Sequence, residues 1–158
     1  MNVFFDTEFI EDGRTIDLIS IGMVRGDDEL YLVSADFDES KANEWVKTHV
    51  LPQIEGEARW SRSLMAERIV QFVGTTPTFW TYFGDYDWVA LCQFYGTMTK
   101  LPTGWPYLAY DVRQWLDAKG LQSVKQPDEA PHHALLDARW IAKTHQTYGE
   151  ALADTKTA

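Results

Sequence analysis

Cysteine is nearly absent from this sequence, whose 158 residues include one, Cys92. A single thiol cannot form a disulfide within the chain, so the fold does not depend on an oxidising compartment and we expect a cytoplasmic protein. No apolar run approaches the roughly 18 residues that a helix needs to span a bilayer. The first residues show neither the basic region nor the cleavage site of a signal peptide, so we expect no membrane association.

Basic residues are scarce compared with acidic ones, 14 against 24, which gives a formal net charge of −10. This balance excludes a broad basic groove as the main way of holding nucleic acid, so any polyanionic ligand must be bound locally. The hydrophobic fraction of 45% is typical of a packed globule rather than a disordered segment. The length fits a single α/β domain, which we assign to residues 1–150, followed by a frayed tail at 151–158.

Strand and helix patterns alternate along most of the chain. Three β-prone segments come first, and the second and third are expected to form a hairpin across a turn-rich stretch. The predicted strands are residues 2–5, 17–24, 29–34, 78–82 and 106–110, and the predicted helices are residues 41–50, 63–73, 87–95, 112–119 and 134–148, with a loop at 120–131. This order predicts an α/β fold with a mixed sheet of five or six strands and helices on both faces.

Asp6 and Glu8 stand two residues apart at the end of the first predicted strand. The period of two in a strand directs both carboxylates to the same side of the sheet. Two such groups repel each other unless a cation neutralises them, and Mg²⁺ prefers oxygen ligands. The same pattern also occurs at solvated strand ends, so both readings stay open at this point.

Asp85 and Asp87 lie where the strand at 78–82 gives way to the next helix. Ligands of open α/β sheets collect at such strand ends. An Asp at a helix start can also cap free backbone N–H groups. We favour capping for Asp85 and leave both roles open for Asp87. Asp111 is expected to cap the helix that follows it, although the strand end on which it lies could also face the site.

His132, His133 and Asp137 introduce the last predicted helix. Asp137 lies three residues after Ala134 and four before Ile141, which places its carboxylate on the inward-facing stripe. A buried carboxylate needs a partner, which could be a metal ion, the neighbouring histidines, or a backbone group or Arg in the core.

Taken together, these three sites resemble the signature of the DEDDh exonucleases, which have a ribonuclease H-like fold. The matching features are Asp-x-Glu on the first strand, an aromatic residue before Asp87, and His-x-x-x-x-Asp at the last helix. The chain is most similar to short bacterial members that resemble ribonuclease T, including a branch described as preferring polyadenylate. The resemblance implies a homodimeric 3′-to-5′ exoribonuclease that acts on single-stranded RNA or RNA 3′ ends and releases nucleoside 5′-monophosphates.

The resemblance also implies roles for individual residues. Two Mg²⁺ ions, for which Mn²⁺ should substitute, would be bound by the four carboxylates, and His132 would be the general base. The metal-binding carboxylates are Asp6, Glu8, Asp87 and Asp137.

The match to the family pattern leaves some points open. Tyr82-Phe83 stand where family members often have His-Asn, which leaves open the 3′-end contact that this Asn normally makes, and Asp85 could be an additional ligand or substrate contact. None of the residues singled out above recognises the 2′-hydroxyl of RNA, so a nuclease directed to DNA or short oligonucleotides is an alternative. A metal- or RNA-binding module without catalysis is the alternative from another class.

Overall fold

A computed structural model describes residues 1–122, 125–126 and 132–154 of the chain. The strands are β1 (Asn2–Glu11), β2 (Ile16–Arg25), β3 (Asp28–Ser34), β4 (Arg59–Trp60), β5 (Thr78–Thr81) and β6 (Tyr110–Asp111). The α-helices are α1 (Glu44–His49), α2 (Arg62–Val73), α3 (Asp85–Gln93), α4 (Val112–Asp117) and α5 (Ala134–Asp154). Short 3₁₀ helices span Glu39–Lys41, Leu51–Ile54 and Met98–Lys100.

The six strands form one mixed sheet in the order β4-β3-β2-β1-β5-β6. β2 pairs antiparallel with both β1 and β3, whereas the pairs β1–β5, β5–β6 and β3–β4 are parallel. The predicted hairpin is therefore confirmed, with β2 and β3 paired as far as Arg25 and Asp28. The predicted α/β class with a mixed sheet is confirmed as well, and the arrangement is that of a ribonuclease H-like fold.

Helices cover both faces of this sheet, as predicted. Phe4 and Phe5 are neighbours on β1 and therefore point to opposite faces. Phe5 belongs to a core cluster with Met65 of α2 and Leu91 of α3, whereas Phe4 packs in a second cluster with Ile141 of α5. A third cluster packs α1 onto the strands. α3 and α5 thus approach β1 from opposite sides.

Gly22 of β2 allows α5 to lie very close to the sheet. A Cβ atom built at Gly22 would lie 2.2 Å from the backbone nitrogen of Leu135, so no larger residue fits here without displacing the helix. One turn further, Arg139 donates two hydrogen bonds to the Glu29 carboxylate of β3, at 2.7 and 2.6 Å. These contacts hold the start of α5 against the strands.

The first strand is longer than predicted. β1 continues to Glu11, so Asp6 and Glu8 lie inside the strand rather than at its end. The acidic residues interrupt the apolar run that marked the strand in the sequence, but pairing with β2 continues past them through a bulge between Glu8 and Phe9.

Other boundaries also differ from the prediction. The predicted helix at 41–50 begins as an α-helix only at Glu44, because Asn43 caps it by accepting the N–H of Val46. The predicted strand at 106–110 is confined to Tyr110–Asp111, and the two-residue β4 was not predicted. The last helix extends to Asp154. Most of the loop predicted at 120–131 lies outside the described residues, as do residues 155–158 of the predicted tail.

None of the helices in the described part of the chain combines the length and the apolar character needed to cross a membrane.

Candidate active site

Three carboxylates from two distant parts of the chain meet beside β1. Asp6, Glu8 and Asp137 each offer an oxygen, and these oxygens lie within 4.8 Å of one another. Asp6 and Glu8 share one side of β1, and Asp137 comes from the first turn of α5. The close packing of α5 on Gly22, which pairs with Asp6, brings the third carboxylate to the other two.

Asp87 reaches the same strand from the other face of the sheet. It lies in the first turn of α3 and is only 6% exposed. Its Oδ1 accepts hydrogen bonds from the backbone N–H of Thr7 at 2.8 Å and from the Thr7 hydroxyl at 2.6 Å. Thr7 stands between Asp6 and Glu8, so Asp87 lies beside the group of three.

Burial raises the pKa of all four groups, and repulsion by neighbouring carboxylates adds to this effect at Asp6 and Glu8. Burial, and then the charges of Asp137 and Asp87, raise the pKa of Glu8 to about 8. Burial and the three neighbouring carboxylates raise the pKa of Asp6 well above its usual range. Burial also raises the pKa of Asp137, and it raises the pKa of Asp87 to about 6 against the opposing effect of the Thr7 hydrogen bonds.

The donor set fits a hard divalent cation. All four groups offer carboxylate oxygens, which are the ligands that Mg²⁺ prefers, and three of them are already close enough to share an ion. Neighbouring carboxylates raise the pKa of Asp6 and Glu8, and a cation bound beside them would lower both pKa values again. Asp6, Glu8 and Asp137 are therefore the residues that could hold a first ion, with Asp87 placed to contribute.

Asp137 has further contacts that orient it. The side-chain amide of Gln126 donates to Oδ1, and the backbone N–H of His133 lies 3.3 Å from Oδ2. The backbone N–H of Asp137 in turn donates to the His133 carbonyl at 3.1 Å. The first turn of α5 thus fixes this carboxylate at the edge of the cluster.

The two adjacent histidines occupy different environments. His132 is exposed, and its ring packs edge-on against Trp45 of α1, with 4.6 Å between the ring centroids. It is close enough to Asp137 for its charge to lower the pKa of that carboxyl. His133 is partly buried, stacks on Tyr31 at 4.3 Å, and accepts the N–H of Leu135 through Nδ1. His133 therefore caps α5, and His132 is the accessible imidazole.

The capping role predicted for Asp85 is wrong. α3 begins at Asp85 itself, and its N-cap is Gly84, which has no side chain to serve as a cap; Asp85 is exposed. A capping side chain must precede the first helical residue, and Asp85 stands one position too late. Asp111, which lies 27 residues further along the chain than Gly84, instead accepts the Gly84 N–H at 3.0 Å.

The capping role predicted for Asp111 itself is confirmed. Its other oxygen accepts the N–H of Gln114 at the start of α4. One carboxylate thus joins the starts of α3 and α4.

Aromatic side chains occupy the positions that precede α3. Tyr82 packs edge-on against Trp140 of α5, with 4.7 Å between centroids. Phe83 is 73% exposed and has a φ of 54°, in the left-handed region that a bulky residue rarely adopts. At these two positions the structure has one packed ring and one exposed ring.

Comparison with known proteins gives a consistent result. Residues 1–148 match the family described as the 3′-5′ exoribonuclease Rv2179c-like domain. The chain is 43% identical over 147 residues to the 3′-5′ exoribonuclease Rv2179c of Mycobacterium tuberculosis (strain ATCC 25618 / H37Rv), and the match covers 88% of each chain. The 3′-5′ exoribonuclease MT2234.1 of M. tuberculosis strain CDC 1551 / Oshkosh matches with the same identity and coverage. The chain therefore belongs to the family of proteins with a 3′-5′ exoribonuclease Rv2179c-like domain.

Proposed function

We propose that this protein is a 3′-to-5′ exoribonuclease of the DEDDh type, similar to ribonuclease T, that shortens single-stranded RNA or RNA 3′ ends. The observation that carries the proposal is the meeting of Asp6, Glu8 and Asp137, with Asp87 beside them, in a chain of this family. Adenylate-rich ends are the first substrate to test. The product is a nucleoside 5′-monophosphate, released one residue at a time.

Asp6, Glu8, Asp87 and Asp137 would hold two Mg²⁺ ions, which supply an activated water and neutralise charge on the phosphoryl and leaving oxygens. Four ionised carboxylates cancel the charge of two divalent cations, so the loaded site can accept an anionic phosphate despite the net charge of −10. A site neutralised in this way would bind the phosphate of RNA without the broad basic groove that the sequence lacks.

His132 is the proposed general base. It is exposed, lies two residues before the helix that carries Asp137, and its charge lowers the pKa of that carboxyl. Imidazole is the side chain best suited to transfer protons near neutral pH. His132 would take the proton from the attacking water, while His133 keeps its structural contacts with Tyr31 and Leu135.

The proposal also covers the extent of the domain, the oligomeric state and the location of the enzyme. We expect one catalytic domain over residues 1–150, a homodimer, and a cytoplasmic location. The single cysteine supports the location, and the family match over residues 1–148 supports the domain.

A digest of 5′-labelled RNA homopolymers with Mg²⁺ tests the proposal. We expect a ladder of products shortened from the 3′ end, no cleavage in EDTA, and no cleavage by Asp6→Asn. Matched DNA and a dinucleotide run in parallel report whether the substrate is RNA, DNA or a short oligonucleotide. Preferential cleavage of DNA or of the dinucleotide would replace the proposed substrate, and an intact substrate in every lane would support a binding module instead.

A further inference from the structure

Thr7 connects the carboxylate on α3 to the strand that carries the other acidic residues. It is only 5% exposed, and both its backbone N–H and its hydroxyl donate to the same oxygen of Asp87, at 2.8 and 2.6 Å. Two donors on one oxygen restrict the rotation of the carboxylate. The two residues are 80 positions apart, so this contact fixes a long-range feature of the fold.

The topology explains why Thr7 holds this position. Asp6 and Glu8 point toward α5, so Thr7 between them points toward α3. β5 pairs with β1 only at residues 2–4, and beyond Phe4 this edge of β1 is open to the side chain of Asp87. Asp87 therefore reaches the acidic group around the edge of the sheet, and Thr7 is the residue that it meets there.

We propose that Thr7 is a positioning residue that orients Asp87 for metal binding. The inference rests on the proposed function, because it assigns Thr7 a role in the same metal site. Partners that orient metal ligands typically contribute about 10- to 100-fold to metal affinity. Loss of the hydroxyl alone leaves the backbone hydrogen bond, so an effect of about tenfold, at the low end of that range, is expected.

A titration of the full chain with Mn²⁺ in the absence of RNA tests this role directly. The EPR signal of free Mn²⁺ measures how much of the ion is bound. Thr7→Val preserves the shape of the side chain and removes the hydroxyl, and it should weaken Mn²⁺ binding by about tenfold. Thr7→Ser keeps the hydroxyl and should retain the wild-type affinity. Thr144→Val is the matched control, because Thr144 is a fully buried threonine on α5 whose hydroxyl has no partner among the described residues.

A kinetic measurement separates positioning from a general structural effect. At limiting Mg²⁺ the kcat of Thr7→Val should fall while its KM for RNA stays unchanged, and added Mg²⁺ should restore most of the loss. If Thr7→Val melts too low for titration, Thr7→Ala carries the same prediction. Wild-type Mn²⁺ affinity in the variant that lacks the hydroxyl, or an equal loss in Thr144→Val, would overturn the positioning role.

The Asp87→Asn variant separates a failure of the role assigned to Thr7 from a failure of the proposed function. If wild-type protein binds Mn²⁺ and hydrolyses RNA, and Asp87→Asn loses both while Thr7→Val loses neither, the role of Thr7 alone is wrong. If the wild-type protein binds no Mn²⁺ and leaves RNA intact, the proposed function and the role of Thr7 both fail.

Discussion

Asp6 and Gly22 face each other across β1 and β2, and the absence of a side chain at Gly22 gives α5 the room to approach Asp6. The backbone of Leu135 fills the place where a Cβ atom would stand. Asp137 follows two residues later, on the first turn of the same helix. The acidic cluster thus depends on a glycine that carries no chemistry of its own.

Gly22→Ala should damage both stability and activity. The added Cβ would lie 2.2 Å from a backbone nitrogen, and backbone cannot move aside as a flexible side chain can. Overpacking of this kind typically costs about 1–3 kcal/mol, and displacement of α5 would separate Asp137 from Asp6 and Glu8. Urea denaturation and a single-turnover RNA cleavage assay measure the two effects.

Gly149→Ala provides the matched control for this substitution. Gly149 lies in α5, and an added Cβ would have open space around it. Alanine is favoured over glycine within helices by about 1 kcal/mol, so this variant should be as stable as the wild type or more stable, with unchanged activity. Equal losses in both variants would contradict the role assigned to Gly22.

Removal of one carboxylate of the proposed metal site should abolish activity and stabilise the metal-free fold. Asp6 lies among three other carboxylates that raise its pKa, so Asp6→Asn relieves repulsion and should raise the Tm in EDTA. RNA cleavage should be lost in this variant at any Mg²⁺ concentration. Asp27→Asn is the control, because Asp27 is exposed in the turn between β2 and β3 and should leave both quantities unchanged.

The stability of the metal-free protein should fall as the pH rises. Glu8 has an ordinary pKa of 4.5 and a folded-state pKa of about 8, so the folded state binds a proton that the unfolded state releases. Stability linked to this group is fully present below about pH 4.5 and is lost as the pH rises through about 8. Thermal melts in EDTA between these values should show a declining Tm.

Glu8→Gln and Mg²⁺ provide two checks on this pH dependence. The substitution removes the titrating group and should flatten the decline, whereas Mg²⁺ should stabilise the wild type more at high pH than at low pH, because it binds the ionised form. A Tm in EDTA that rises over the same interval would contradict the assignment of a raised pKa to Glu8.

Local patterns predicted the parts of the site that depend on periodicity. The spacing of Asp6 and Glu8 placed both on one side of a strand, and the helical stripe placed Asp137 facing inward; the structure brings these three together. The strand boundary was wrong because the acidic residues interrupted the apolar run, although pairing with β2 continues through them.

Contacts between distant segments could not be read from the sequence. Thr7 meets Asp87, and Asp111 holds the start of α3 at Gly84, through hydrogen bonds that depend on the order of strands in the sheet. Asp85 has the residue type of a helix cap, but the first turn of α3 begins one position earlier than that role requires. Residue type near a helix start indicates capping; which residue caps depends on where the helix begins.

Substitution of each adjacent histidine should separate catalysis from structure. Loss of a general base typically lowers the rate by about 10²- to 10⁴-fold, so His132→Ala should show a fall of that order with RNA binding retained. His133→Ala removes a cap on Leu135 and a stack on Tyr31, which should cost about 0.5–2 kcal/mol of stability while lowering the rate much less. Single-turnover rates at saturating Mg²⁺, corrected for the folded fraction, compare the two variants. Because His132 alone is exposed and His133 is held by both contacts, a larger rate loss in His133→Ala would reverse the assignment of the base.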